Sequence, residues 1–245
     1  MALLVALFLE SGFIIGAAAM YAANRHVEMR VKKNRWFKFS TYFLIVHFMA
    51  LASCSGRTIF VVVVFFLTSI GAFEIFKATS SVRFLRSATP ICAYGLYTAA
   101  AAGTLFFAAH VSSATALYVY LIVCVLDGFS QIIGQTIGKH RLSALISPNK
   151  TIEGAAGGAL FAIVTAIVFR SFAAFDFVQA LVCGVLLSCA GIFGDLLASR
   201  YKRLCGIKDF GALLPGQGGI IDRFNSFYAA APVFFVYAFI VKSTF

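Results

Sequence analysis

The chain has 245 residues, of which 61% are hydrophobic and 12% charged, and its formal net charge is +11. Soluble proteins contain roughly 45–50% apolar and about 25% charged residues, so this composition excludes an ordinary soluble domain and favours an integral membrane protein. A positive net charge can also indicate nucleic-acid binding, but here most of the basic residues lie in alternate loops between apolar segments. We therefore expect no nucleic-acid partner.

Apolar segments of about 20 residues, the length that crosses roughly 30 Å of hydrocarbon, recur along the whole chain. Spans two and three are joined by such a short turn, at 53–57, that they could instead form a re-entrant pair. Because isolated strands cannot satisfy their backbone in lipid, we predict an all-α polytopic membrane bundle with about eight transmembrane helices. In chain order the predicted spans are 2–22, 38–54, 57–76, 88–109, 113–134, 154–174, 178–197 and 221–241.

The first span ends in small residues that resemble a signal-peptidase site. No basic region precedes it and its apolar stretch is too long for a signal peptide, so we expect it to stay in the protein. It also contains Glu10, an acid in mid-span without an evident partner in the sequence. Glu10 could form a hydrogen bond to a neighbouring helix, face an internal water cavity or have a functional role, and the sequence leaves these alternatives open.

Basic residues follow spans one, three, five and seven, whereas the opposite loops hold little beyond Arg57 and Arg170. By the positive-inside rule the basic loops are cytoplasmic and the N-terminus is outside. The long polar loops 135–153 and 198–220 both fall on the cytoplasmic side, where we predict the active site. No linker divides the chain, so we expect one membrane domain, with N-terminal helices at 1–110 and catalytic helices and cytoplasmic loops at 111–245.

Asp127 lies in the cytoplasmic half of span five, where an ionised side chain costs about 2.5–3.5 kcal/mol on insertion scales. We expect it to face protein, water or a cation. The alternative is a structural hydrogen bond to Ser130 or to a neighbouring helix.

The segment GQTIGKH at 134–140 is similar to a phosphate-binding P-loop, but it is one residue short. It also has His140 where magnesium needs Ser or Thr, and it follows a membrane helix where a P-loop follows a strand. We reject a P-loop here and retain Lys139 as a candidate phosphate contact.

The segment SPNKTIEGAAGG, residues 147–158, is typical of the start of a helix. Pro148 and Thr151 suit a turn into span six, and Glu153 lies in the first helical turn, where the helix dipole favours an acid. The free N–H groups of that turn, with Lys150 beside them, could hold an anion. The alternative is a capped membrane helix with a basic flank.

The last two spans add further charges at the same predicted depth. If helix seven continues beyond its apolar part, Asp195, Ser199 and Lys202 lie on one face. The alternative is that Asp195 is only a surface acid paired with Lys202. Lys and Arg neutralise phosphate charge, and magnesium binds through one or two carboxylates plus water and substrate phosphates. We therefore predict a magnesium site for a nucleotide and a membrane-bound phosphate, to which the following loop and span eight add Lys208, Asp209, Asp222 and Arg223.

Residues 199–225, SRYKRLCGIKDFGALLPGQGGIIDRFN, resemble the C-terminal motif of phosphatidate cytidylyltransferases, the CDP-diacylglycerol synthases. The S-P-x-K-T-x-E-G element of that family also matches, at residues 147–154. Gln217 stands where the family usually has His, and Asn225 where it usually has a second Asp. The matching residues of the C-terminal motif are Ser199, Lys202, Arg203, Lys208, Asp209, Pro215, Gly216, Gly218, Gly219, Asp222 and Arg223.

The resemblance implies transfer of a cytidylyl group from CTP to phosphatidic acid or a related lipid phosphate, with Mg²⁺ as cofactor. It implies metal ligands at Asp195 and Asp222, with Asp127 as a third. Catalytic roles would fall to Asp195, Asp222, Lys208, Asp209 and Arg223. Substrate binding would fall to Ser147, Lys150, Thr151, Glu153, Ser199, Lys202, Arg203, Gly216, Gln217, Gly218 and Gly219.

Two other functions stay open at this point. One is a CTP-dependent enzyme acting on another lipid, either a polyprenol kinase or a cytidylyltransferase for an ether-lipid phosphate. The other is a non-catalytic transporter in which Glu10, Asp127 and Asp195 line a path for an ion or solute. We expect a bacterial inner (plasma) membrane with the active site at the cytoplasmic face, and a homodimer is compatible with the sequence.

Overall fold

The computed structural model describes residues 2–25, 27–80, 88–143 and 145–241. The predicted all-α bundle is confirmed, with the addition of a short antiparallel hairpin of strands β1 (Arg141–Ser143) and β2 (Ser147–Thr151) between helices five and six. The predicted loop after span three falls at 81–87, outside the described residues. The helices are α1 (Ala2–Ala23), α2 (Met29–Cys54), α3 (Arg57–Ser80), α4 (Ala88–His110), α5 (Ser113–Thr136), α6 (Ile152–Val168), α7 (Phe177–Leu204) and α8 (Ile220–Ile240).

Six of the described helices, α1 to α5 and α7, are long and apolar enough to cross a membrane. The other two helices, α6 and α8, do not meet this criterion, for separate reasons. Helix α6 has 17 residues, because a 3₁₀ turn at Arg170–Ala173 takes over the end of the predicted span. Helix α8 opens with Asp222, Arg223 and Asn225, which lower the hydropathy of its first turns.

Two helices extend beyond their apolar spans. Helix α2 begins at Met29 and not at 38, because its basic first turns consist largely of residues that favour helix. Its length of 26 residues, with 24 in α3, favours two crossing helices over a re-entrant pair. Helix α7 continues to Leu204, so the predicted common face of Asp195, Ser199 and Lys202 is present.

Helix α5 lies at the centre of the bundle and packs against α6, α7, α8 and α2. Every residue from Thr115 to Val123 is buried, as expected for a helix surrounded by other helices. Small residues let its neighbours approach closely. A Cβ at Gly194 of α7 would lie 2.9 Å from the Asn225 carbonyl oxygen of α8, so this glycine brings Asp195 close to the start of α8.

Candidate active site

Two acidic side chains, Asp127 of α5 and Asp195 of α7, are linked through consecutive residues of α8. Asn225 donates through Nδ2 to Asp195 Oδ1 at 3.0 Å. Ser226 donates through Oγ to Asp127 Oδ1, also at 3.0 Å. The two α8 residues are themselves joined, because the Ser226 backbone N–H donates to Asn225 Oδ1 at 2.6 Å. The structure therefore brings together two of the three predicted metal ligands.

Lys150 reaches the same group of residues from the hairpin. Its Nζ forms an ion pair with Asp195 Oδ2, so the cation that compensates Asp195 comes from β2 and not from Lys202. The hairpin is fixed to α6 because Thr151 is the N-cap residue and its Oγ1 accepts from the Gly154 N–H at 3.1 Å. The predicted turn into helix six is thus confirmed, and it places Lys150 beside the carboxylates.

Glu153 closes the loop that precedes the hairpin. Its carboxylate accepts from the backbone N–H of Lys139 at 3.1 Å and from that of His140 at 3.2 Å. The His140 ring lies 2.6 Å from the same carboxylate, Nδ1 to Oε1. The hydrogen bond to His140 and those to the backbone lower the pKa of Glu153 to about 2. These contacts assign Glu153 to holding the loop in place.

Asp222 has a different set of partners from the two linked carboxylates, and its side chain is fully buried. Lys202 Nζ donates to its Oδ1 at 2.7 Å. The backbone N–H groups of Phe210 and Gly219 donate to its Oδ2 at 2.8 and 2.9 Å. These three donors satisfy a buried carboxylate and tie the loop 205–219 to the first turn of α8.

The turn PGQGG, 215–219, is docked on helix α2. Gln217 is 8% exposed, and its Nε2 donates to the Lys38 carbonyl oxygen at 2.6 Å. Thr41 Oγ1 donates to the Pro215 carbonyl oxygen at 3.2 Å. Gly216 and Gly218 have φ angles of +73° and +89°, a region that favours glycine. The side chain that replaces the usual histidine is therefore engaged with α2.

The remaining predicted site residues differ in how far the protein itself engages them. Arg203 donates through Nε to the Ile146 carbonyl oxygen at 3.3 Å and so holds the hairpin. Ser199 is buried and Ser147 lies half-buried in β2. Lys208 and Asp209 are exposed on the loop before the PGQGG turn.

Arg223 and Asp127 line a cavity of about 20 Å³, a volume that can hold about one water molecule. Tyr42 of α2 also faces this cavity, and its hydroxyl donates to the Cys124 carbonyl oxygen at 3.1 Å. Arg223 Nε is buried without a hydrogen-bond partner among the described residues. A guanidinium N–H without a partner among the described residues thus lies at the same cavity as the Asp127 carboxylate.

The donor set around Asp127 and Asp195 fits a magnesium ion, since magnesium takes one or two carboxylates and completes its shell with water and substrate phosphates. Asp222 fits less well, because its side chain is fully buried against Lys202 and two backbone N–H groups, whereas the Asp195 side chain is 31% exposed. Within the described ranges no cluster of three or more His, Cys, Asp or Glu side chains is arranged for a metal. Two protein carboxylates with phosphate and water oxygens are therefore the arrangement that this site supports.

Two side chains near this region, Ser226 and Glu74, were not predicted from the sequence. Ser226 follows Asn225 directly and binds Asp127. Glu74 of α3 accepts from the first N–H groups of α8; an acid in an apolar span was the available signal. Glu10, which had no evident partner, lies 3.2 Å from the His47 ring, Oε1 to Nε2.

Comparison with known proteins gives two results. The Cytidylyltransferase family matches residues 2–241. This chain is also similar to three phosphatidate cytidylyltransferases, with 41% identity to that of Staphylococcus saprophyticus, 44% to that of Staphylococcus haemolyticus and 43% to that of Staphylococcus aureus strain COL. Each match covers 119 residues, which are 48% of this chain and 46% of the relative. The matched part thus spans about half the length of those relatives. Since the family match covers nearly the whole sequence, the chain belongs to the cytidylyltransferase family.

Proposed function

We propose that this protein transfers the cytidylyl group of CTP to phosphatidic acid, forming CDP-diacylglycerol and releasing pyrophosphate. The observation that carries the proposal is the Asp127–Ser226–Asn225–Asp195 network, with Lys150 on one side and Arg223 on the other. It combines carboxylates for a cation with bases for phosphates at one end of a membrane bundle. The family membership and the names of the relatives support the same reaction.

In this reaction an oxygen of the lipid phosphate attacks the α-phosphorus of CTP in line with the leaving group. A new oxygen–phosphorus bond forms, and the bond between the α-phosphorus and the bridging oxygen breaks, so that pyrophosphate leaves with the electron pair. No nucleophilic side chain is needed, because the protein contributes positioning and charge neutralisation.

The residues divide between these two tasks. Lys150 and Arg223 are placed to neutralise phosphate oxygens close to the carboxylates. Lys208, exposed on the preceding loop, can contact the outer phosphates. Magnesium bound by Asp127 and Asp195 would supply charge neutralisation on the triphosphate and the leaving pyrophosphate. Asn225 orients Asp195, since its amide occupies one carboxylate oxygen and leaves the other to Lys150.

We further propose that the site faces the cytoplasm of a bacterial cell, at its plasma membrane. The chain is an integral membrane protein by its apolar helices. The hairpin and the loop 205–219 lie in the predicted cytoplasmic loops, which are rich in basic residues. CTP and the pyrophosphate product are charged and water-soluble, so an aqueous face is required for both.

Incubation of the purified protein with magnesium, phosphatidic acid and CTP labelled at the α-phosphate tests the proposal. We expect the label in a lipid product and release of unlabelled pyrophosphate. A polyprenol kinase would instead release labelled CDP and leave no cytidine on the lipid, and an ether-lipid phosphate offered in competition identifies the preferred acceptor. Absence of product with every lipid phosphate would refute catalysis and favour the transporter alternative.

A further inference from the structure

Glu74 of helix α3 is a buried acid that the reaction described above does not use. It is 5% exposed, and it lies far in sequence from the helix that it contacts. Its Oε1 accepts from the backbone N–H of Ile220 at 2.9 Å, and its Oε2 accepts from that of Ile221 at 3.0 Å. The carboxylate therefore binds the first two residues of α8.

These hydrogen bonds supply acceptors for the first backbone N–H groups of α8. The first N–H groups of a helix have no partner within the helix, and a polar N-cap side chain usually accepts from one of them. The N-cap residue here is Gly219, which has no side chain. Asp222 accepts from the Gly219 N–H, so Glu74 is the acceptor for the next two.

The glycines of the preceding loop make room for this carboxylate. A Cβ at Gly219 would lie 2.3 Å from Glu74 Oε1, and one at Gly211 would lie 2.6 Å from the same atom. Gly219 has φ and ψ angles of −87° and 178°, an extended conformation that any residue adopts. Space for Glu74, and not backbone freedom, is therefore the reason for glycine at this position.

We propose that Glu74 is a positioning residue, which sets where α8 begins and thereby where Asn225 and Arg223 stand relative to Asp195. Asn225 lies in the second turn of α8, so a shift or unwinding of the first turn moves its amide away from the Asp195 carboxylate. Gly219 and Glu74 thus fix the start of α8 together. The catalytic consequence rests on the proposed function, whereas the structural coupling does not.

A double-mutant cycle with Glu74→Asp and Gly219→Ala tests the proposal. G219A pushes a methyl group into the Glu74 carboxylate, whereas in E74D the carboxylate is one methylene shorter and leaves space for that methyl. We expect G219A alone to reduce cytidylyl transfer by about tenfold or more, and the double variant to lie within about threefold of E74D. E74A should lose activity as G219A does. The matched control is E10Q, which changes another acid of the N-terminal helices, one that contacts His47 and not α8.

Two further measurements separate positioning from a loss of folded protein. In G219A we expect the magnesium concentration for half-maximal activity to rise about fivefold, a change that a smaller active fraction would not cause. Amide hydrogen exchange at residues 219–223 should accelerate in G219A and return toward the wild-type rate in E74D/G219A. Equal effects of G219A in both backgrounds, or an unchanged magnesium dependence in G219A and E74A, would overturn the proposal. If the wild-type protein transfers no cytidylyl group, the proposed function fails, and the exchange rates still decide whether Glu74 fixes α8.

Discussion

Asn225 donates a hydrogen bond to Asp195 at 3.0 Å, at a position where the related motif usually has an aspartate. An ionised aspartate could not donate this bond. It would also add a third negative charge beside Asp127 and Asp195. The asparagine therefore gives a site in which two carboxylates are held together before any cation binds, by Asn225 and Ser226 on one side and Lys150 on the other.

Replacing Asn225 with aspartate should make the protein depend on magnesium for stability. In N225D three carboxylates converge without the amide donor, so we expect a lower melting temperature in a chelator, by about 2–4 °C for each kcal/mol lost. Magnesium should reverse this loss, because a cation neutralises the added charge. N225A is the control, since it also loses the donor but gains no charge, and magnesium should rescue it less. Equal melting temperatures of N225D with chelator and with magnesium would contradict the placement of the cation.

Replacing Asp222 should affect stability more than magnesium dependence. The D222N variant leaves the buried Lys202 ammonium without its counter-charge, and breaking a buried ion pair costs about 3–5 kcal/mol. We expect a large drop in thermal stability and an unchanged magnesium half-saturation in the remaining folded enzyme. D195N is the matched comparison, because it removes a carboxylate from the linked pair. A rise in the magnesium half-saturation of D222N similar to that of D195N would restore Asp222 as a metal ligand.

Replacing Gln217 should disturb the docking of the PGQGG turn on α2. The Q217E variant is nearly isosteric but places an acceptor against the Lys38 carbonyl oxygen, so we expect a loss of about 1–3 kcal/mol in stability together with lower activity. Q217H keeps a ring N–H that can reach a carbonyl oxygen, and we expect activity within about threefold of the wild type. Thermal unfolding measures the stability of each variant, and the cytidylyl-transfer assay measures its activity. Loss of activity in Q217H with full retention in Q217E would show that a donor to α2 is not what this position supplies.

The loop before the hairpin, which Glu153 holds through Lys139 and His140, should loosen in acid. Because the folded-state pKa of Glu153 is lowered to about 2, below the unfolded value of about 4.3, its contribution to stability is present above the unfolded pKa. It is lost as the pH falls from there toward about 2, when the carboxylate is protonated and stops accepting from His140 and Lys139.

Pepsin cleavage within residues 137–143, the loop and the first strand of the hairpin, followed between pH 4.5 and 2, measures this change. We expect the wild-type rate relative to a reference substrate to rise across that range. The E153Q variant should be cut faster at pH 4.5 and show a flatter profile, because an amide does not titrate. Identical profiles for the two proteins would refute the assignment of the carboxylate to holding this loop.

The sequence by itself determined where the helices lie and which chemistry they carry. Long apolar runs are sufficient for this in lipid, because backbone groups must be satisfied within each segment. The turn into α6 at Thr151 and the shared face of Asp195 and Lys202 followed from local rules as well, since both depend on residues a few positions apart. The family was also visible in residues 199–225 and 147–154.

Only the tertiary structure decided which charges meet. On helical spacing alone, Lys202 could have paired with Asp195; instead it pairs with Asp222, and Lys150 pairs with Asp195. Glu74 and Ile220 are 146 positions apart in sequence, yet the N–H groups of α8 require an acceptor that Gly219 cannot supply. Such choices depend on how helices pack and on which buried polar groups still lack a partner, and no short-range pattern contains that information.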